Sequence, residues 1–230
     1  MTYAATPSLS IVIPTLNAAA MLPSCLEALQ SWPDGRELFI VDGGSDDETV
    51  TVAYTYKATI LPAERGRGIQ LQRGGLSATK DWLLFVHADT VMAKGWETEA
   101  RAFMGDIRNR QHIAAFRFSL DDESLQAQRI ERMVAWRCQR LGLPYGDQGL
   151  LIHRDLYEAV GGYRALPLME DIDLIRRVGR RNVHMFETSA MTSAARFQRD
   201  GWWARPSRNL FCLLLYLCGL PPHWIAKLYG

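Results

Sequence analysis

At 230 residues the chain is long enough to bury one sizeable core, and undivided α/β domains of this length are common. Apolar residues make up 48% and charged residues 22%, the balance of an ordinary globular protein, which excludes a disordered or fibrous chain. A formal net charge of +1 lacks the basic excess that drives non-specific binding to phosphate backbones, so no nucleic-acid partner is expected.

The first segment, Met1 to Ser8, has no basic n-region and runs straight into a strand-like stretch. It does not read as a secretory signal, and a cytoplasmic protein is expected. Short runs rich in Val, Ile, Leu and Phe then alternate with longer segments of helical period. Strands are predicted over Leu9–Ile13, Glu37–Val41, Ala58–Leu61, Trp82–Val86, Ile113–Phe118 and Gly149–His153. The first four are far enough apart for crossover helices, and their continuous apolar character suits a parallel sheet covered on both faces. A doubly wound, Rossmann-like α/β sheet is the predicted fold class, in a single domain.

Pro14 is expected to close the first strand, with Asn17 capping the helix that follows and Ser45-Asp46-Asp47-Glu48 forming a capping box for the next. After Phe118 the alternation loosens. A long helix is predicted from about Ser124 to Leu141, then a turn at Gly146-Asp147-Gln148-Gly149, and a helix from about Asp171 to Val178 before Gly179. The run Leu210 to Leu220 stops at Pro221-Pro222, short of the roughly 18 to 20 residues that span a bilayer. Cys25, Cys138, Cys212 and Cys218 form no C-x-x-C pair and read as buried, reduced thiols rather than metal ligands.

In open α/β sheets ligands bind beyond the carboxyl ends of the strands, so polar residues at strand ends are informative. Asp42 directly follows Leu38-Phe39-Ile40-Val41; its carboxylate would accept hydrogen bonds from a base or ribose, and Gly43-Gly44 would leave room for a ligand. A simple turn with a helix cap explains the same residues. Asp89 ends His87-Ala88-Asp89 after a buried strand, where it would hold a hard cation through oxygen or cap a helix beginning near Ala93 or Gly95. His87 reads better as a hydrogen-bond donor than as a second ligand. Glu170, Asp171 and Asp173 gather at a helix start, which the helix dipole alone favours, or which tunes one acid to take a proton from a hydroxyl. Arg65-Gly66-Arg67-Gly68 has G-x-G without the full dinucleotide fingerprint, and its arginines face either a phosphate or solvent.

In this order and spacing the residues resemble glycosyltransferase family 2, the inverting group with the GT-A fold. The matching stretches are Ser10 to Asn17, Val41 to Asp47, Val86 to Thr90, Gly146 to Gly149, Gly161-Gly162-Tyr163 and Met169-Glu170-Asp171. The tail is similar to that of a bacterial branch found beside radical-SAM or selenium-related domains. The resemblance implies a nucleotide-sugar donor bordered by Pro14, Thr15, Asn17, Asp42, Gly43, Arg67, His87 and Ala88. It implies Mg²⁺ or Mn²⁺ on Asp89, Asp171 as catalytic base beside Glu170, and Gly146, Asp147 and Gln148 facing the acceptor or the sugar. Two departures leave the donor's base open: Ala18-Ala19-Ala20 stands where the family carries an acid, and the D-x-D motif reads His87-Ala88-Asp89.

Two rivals are weighed. A sugar nucleotidyltransferase needs a Gly-rich, basic loop after the first strand, where this chain has Thr15-Leu16-Asn17-Ala18-Ala19. A non-catalytic nucleotide-sugar-binding or scaffold protein would bind donor without releasing nucleoside diphosphate. The segment 202–230 reads as an amphipathic helical tail, carrying Trp202, Trp203, Arg205, Arg208 and Trp224 around the apolar run. It would pack on its own core, pair with a second copy, or lie on the inner face of the membrane, the last of which suits a lipid-linked acceptor.

Overall fold

The computed structural model describes residues 8–33 and 35–229, so the N-terminal residues read above for a signal lie outside the described residues, Ser8 excepted. Four parallel strands form one half of an eight-stranded sheet: β1 (Leu9–Thr15), β2 (Glu37–Asp42), β3 (Thr59–Pro62) and β4 (Trp82–Phe85). The other half is built from β5 (Thr90–Met92), β6 (Ile113–Leu120), β7 (Leu150–His153) and β8 (Val183–Thr192), and the strand order is β3-β2-β1-β4-β7-β6-β8-β5. In this half β7 runs antiparallel to both β4 and β6, β6 pairs parallel with β8, and β5 is antiparallel to β8. All six predicted strands are present; β5 and β8 are additional. Thr15 belongs to β1, so Pro14 does not end that strand.

Alternation along the parallel strands feeds two cores, because successive side chains point to opposite faces. Ile11 and Ile13, Leu38 and Ile40, and Trp82 and Leu84 pack with α1 (Leu22–Leu29), α2 (Thr49–Thr55) and α4 (Trp96–Gly105). Val12, Phe39, Val41, Leu83 and Phe85 pack on the other face with α3 (Arg67–Ser77), α6 (Arg154–Ala159) and α7 (Glu170–Val178). The long helix α5 (Leu125–Leu141) closes a smaller cluster with Phe118 and Leu120 at the far end of β6. Its Ser124 accepts a hydrogen bond from Ala127 N, and Gly142 ends it in the left-handed region, as the sequence cues require.

The tail folds as α8 (Ala195–Asp200), α9 (Ala204–Leu217) and α10 (Pro222–Tyr229). Cys212, Leu213 and Ile225 are buried in the second core, while Phe211, Leu214, Leu217, Trp224 and Leu228 stay exposed, so the tail is both core and surface. Cys25, Cys138 and Cys212 are buried free thiols as expected; Cys218 is exposed, because it lies past the end of α9. Among the described residues no helix is long and apolar enough to cross a membrane.

The amino end of α3 is pressed against the chain at 164–166. A Cβ on Gly68 would lie 2.4 Å from Leu166 O and 2.7 Å from Arg164 O, both backbone atoms. Gly68→Ala is therefore expected to lose about 2 kcal/mol in urea unfolding, since overpacking against backbone outweighs the gain in helix propensity.

Candidate active site

The carboxyl ends of β1 and β4 open onto two adjoining hollows that share Arg67, His87, Asp89 and Arg196. One is lined also by Tyr145, Asp147, Asp171 and Asn209. The other, about 320 Å³, is lined also by Pro14, Thr15, Arg65, Gly66 and Ala88. That volume lies in the range of ligand clefts.

Beneath the second hollow, Asp42 is turned into its own loop. Its Oδ1 accepts from Thr15 Oγ1 at 3.0 Å and Ser45 Oγ at 2.5 Å, and its Oδ2 accepts from the N–H of Gly44 and Ser45 at 3.0 and 2.9 Å. Burial opposes its charge, but the Ser45, Thr15 and Gly44 hydrogen bonds outweigh that and hold the carboxyl below its ordinary value. Gly43 backs onto the Gln70 amide, which a Cβ there would meet at 3.2 Å. Gln70 was not singled out from the sequence, yet its Nε2 donates to both Thr15 O and Val41 O at 2.7 Å, tying the two strand ends together. Asn17 does not cap α1, which starts behind Met21; in the left-handed region at φ 50°, it accepts from Asp46 N through Oδ1. Nor is Ser45 a capping-box residue, since Asp47 rather than Ser45 accepts from Thr49 N at the start of α2.

Asp89 does not cap a helix. The chain passes directly into β5, and α4 begins only behind Gly95. Its Oδ2 instead lies 3.4 Å from Arg196 Nη2 on α8. Burial, reinforced by the charges of Arg67 and Arg196, pushes the His87 pKa well below its ordinary value, so the imidazole is neutral at pH 7.

The three acids at the start of α7 go to three different places. Asp171 reaches the first hollow, with Oδ2 accepting from Gly146 N at 2.6 Å and Oδ1 from Ile172 N at 3.0 Å. Glu170 is buried behind Arg67, bonded to its Nε, with Oε2 left unpartnered; burial first and the Asp171 charge second push its carboxyl up against the pull of Arg67. Asp173 faces the tail, bonded to Arg177, Arg164 and Tyr216 Oη.

Gly146 is closely flanked by two site side chains: a Cβ there would meet His87 Nε2 at 2.8 Å and Asp171 Oδ2 at 3.2 Å, so one of them would have to shift. Asp147 lines the first hollow, and its Oδ1 is buried without a partner. Burial above all, with the charges of Asp171 and Asp89, raises its carboxyl to about 6 against the pull of Arg137 and Arg67. Gln148 points away from both hollows, contrary to its expected place facing a sugar. It is buried, donating to Phe116 O at 2.9 Å and accepting from Arg137 and Tyr145 N at 3.2 Å, so it braces the turn against β6 and α5. Thus Pro14, Thr15, Arg67, His87, Ala88, Asp89, Asp147 and Asp171 line the hollows, whereas Asn17, Asp42, Gly43, Gly146, Gln148 and Glu170 stand behind the walls.

Tyr145, Arg196 and Asn209 line the site without having been anticipated. The residues present fit a hard divalent cation shared with a phosphate ligand. Asp89 and Asp147 line one hollow, Asp147 with an oxygen left unpartnered, and Mg²⁺ commonly takes only one or two carboxylates beside phosphate oxygens. Among the described residues no three His, Cys, Asp or Glu side chains form a protein-only cage.

The sequence matches glycosyl transferase family 2 over residues 10–166, more than half of the chain. A PGL/p-HBAD biosynthesis glycosyltransferase of Mycobacterium bovis (strain BCG / Pasteur 1173P2) is 40% identical over 112 residues, 44% of this chain and 43% of that protein. The match therefore spans less than half of that relative's length. A crystal structure of glucosyl-3-phosphoglycerate synthase from Mycobacterium tuberculosis, in complex with Mn²⁺, UDP-glucose and phosphoglyceric acid, superposes with a TM-score of 0.62 at 18% identity, covering 94% of this chain and 81% of that one. The S. aureus TarS 1–349 structure in complex with UDP-GlcNAc gives 0.62 at 15% identity, covering 81% and 58%. At such identities the likeness is one of fold, a GT-A sheet with a mixed second half. By its sequence match and by the sheet into which it folds, the chain belongs to glycosyl transferase family 2.

Proposed function

We propose that this chain moves a sugar from a nucleoside-diphosphate donor to an acceptor hydroxyl with inversion at the anomeric carbon. One observation carries it: Asp89 and Asp171, 82 positions apart in the chain, line one hollow together with Arg67 and Arg196. Asp171 is the general base. Each of its oxygens already accepts one backbone N–H, which orients the carboxylate and leaves a lone pair on each for the acceptor's proton. As that proton moves to Asp171, the acceptor oxygen forms its bond to the anomeric carbon, and the bond from that carbon to the diphosphate breaks. The nucleoside diphosphate leaves with the electron pair.

Pro14, Thr15, Ala88 and Arg67 border the nucleotide, with Asn17, Asp42 and Gly43 shaping the loops behind them. Glu170 positions Arg67 rather than meeting substrate, since it is buried behind that guanidinium. Gly146 lets the turn pass between His87 and Asp171, Asp147 faces the reacting groups, and Gln148 holds the turn in place. Mg²⁺ or Mn²⁺ would be held by Asp89, facing Asp147, and when bound supplies positive charge to the departing diphosphate. Neutral His87 beside it keeps the local charge open to a cation.

UDP with Mn²⁺ is the first ligand to try, because both solved neighbours hold uridine nucleotide sugars. At about 100 times its dissociation constant it should add roughly 2.7 kcal/mol to stability, a shift of several degrees in melting temperature. Incubation with a panel of nucleotide sugars and candidate acceptors should then release nucleoside diphosphate. Binding without release would instead favour a scaffold.

The exposed face of α9 and α10, with Phe211, Leu214, Leu217 and Trp224, suits contact with the inner face of a membrane or a second copy of the chain. Removing 202–230 is a poor test, because Cys212, Leu213 and Ile225 are core residues. Phe211→Glu with Leu214→Glu should keep the fold and abolish flotation with anionic liposomes. Unchanged flotation would remove this face from membrane contact.

A further inference from the structure

A third hollow opens off the cavity that holds Asp171 and is chemically unlike it. It lies between α5 and α9, and Tyr145, Asp147, Phe197 and Asn209 line both it and the cavity that holds Asp171. Beyond that junction the walls are mostly hydrocarbon. Phe118, Ile130, Val134 and Leu213 form a floor, and Met133 and Leu210 stand at the lip, 45% and 52% exposed. The hollow runs on past Ile130, Met133, Pro206 and Leu210 to Trp202 and Trp203. Along α9 the distance from Asn209 to Trp203 is about 9 Å at 1.5 Å per residue.

The polar group nearest the junction is already engaged. Arg137 lies with its guanidinium 3.5 Å over the Tyr145 ring and donates to Leu143 O at 2.9 Å and Gln148 Oε1 at 3.2 Å. An occupant therefore meets mostly apolar surface along the groove, with polar groups at the Asp147 end and again at the far mouth, where Gln126, Arg129 and Ser207 join Trp202 and Trp203, which matches an amphiphile lying with its polar head toward the reacting carboxylates. A protein helix or a second copy seated there would close the mouth at Asp147 and shut out the acceptor.

We propose that the groove between α5 and α9 binds the hydrocarbon portion of an amphiphilic acceptor, whose hydroxyl is thereby delivered to the cavity holding Asp171. The inference rests on the transferase reading above and names the substrate class of the acceptor side. It assigns Met133, Val134, Leu210 and Leu213 to acceptor specificity.

The test uses the full chain titrated by calorimetry with 1-hexanol, 1-octanol and 1-decanol, in the presence of UDP and Mn²⁺. Affinity should rise up to about fourfold per added methylene until the groove is full. Met133→Glu and Leu210→Glu, made separately at half-exposed positions, should each weaken 1-decanol at least tenfold while UDP affinity is unchanged. No dependence on chain length, or wild-type 1-decanol binding in both variants, overturns the proposal. So does flotation on phosphatidylcholine vesicles without alcohol that both variants abolish, because the groove would then dock on the bilayer itself. The two readings fail separately. Lost alcohol binding with donor-dependent nucleotide release intact sinks the groove alone, whereas alcohol binding with no nucleotide release under any donor and acceptor removes the acceptor role.

Discussion

Asp171→Asn is expected to lower turnover about 10²- to 10⁴-fold while leaving UDP affinity within about twofold of the unmodified chain, the size of effect a positioned general base supplies. The substitution is nearly isosteric. An amide has one acceptor oxygen: it can keep the bond from Gly146 N that Asp171 Oδ2 accepts at 2.6 Å, so the turn at 146–148 should hold, and it gives up only the bond from the adjacent Ile172 N. What an amide cannot do is take a proton at neutral pH. The split between kcat and donor binding is the diagnostic: a loss confined to KM would mean that Asp171 binds the acceptor without acting as base. Near-normal turnover would end the assignment. Glu170→Gln is the contrasting variant, since Glu170 acts on Arg67, and its loss should weaken donor binding more than the chemical step.

Asp147→Asn should raise stability and lower activity together. The Asp147 carboxyl stands at about 6 against an ordinary value of 3.8, raised chiefly by burial and then by the charges of Asp171 and Asp89. A folded-state value above the unfolded one means that folding favours the protonated form. The contribution is therefore full below pH 3.8 and lost as pH rises through 6. About two pKa units correspond to about 3 kcal/mol, which the charged carboxylate costs the fold at neutral pH. The asparagine variant avoids that cost. Its melting temperature should exceed that of the unmodified chain by several degrees at pH 7.5, with the gap closing toward pH 4. An equal melting temperature at both pH values would show that Asp147 is better solvated than its unpartnered Oδ1 implies. Stability withheld at a residue that lines the reaction cavity is the trade commonly seen between function and fold.

Much of this architecture is written locally. The apolar runs before Pro14, Asp42 and His87 can only be buried strands, and side-chain alternation within them divides the core between two faces of the sheet. Strand ends follow from the same runs, which is why Thr15, Asp42 and Asp89 stand out as a set in the sequence. Ser124 and Gly142 delimit α5 through cap chemistry that lies within a few residues. β8 carries no comparable signal. Its ten residues, Val183–Thr192, are mostly half-buried or exposed, so no alternation stands out, yet this strand brings α8 and Arg196 to within 3.4 Å of Asp89.

The parallel half of the sheet, its polar strand ends and the family are all legible in the order of residues, because each is encoded by periodicity or by short runs in a fixed order. The resemblance pointed to Asp171, but it took the three-dimensional packing to send Glu170 to Arg67 and Asp173 to the tail, since three acids on one helical turn share a composition and differ only in direction around the axis. Only the tertiary structure decided that Gln148 braces a turn, that Gln70 ties two strands, and that an apolar groove meets the reaction cavity at Asp147. Those are contacts between segments distant in the chain, set by packing rather than by neighbours in sequence.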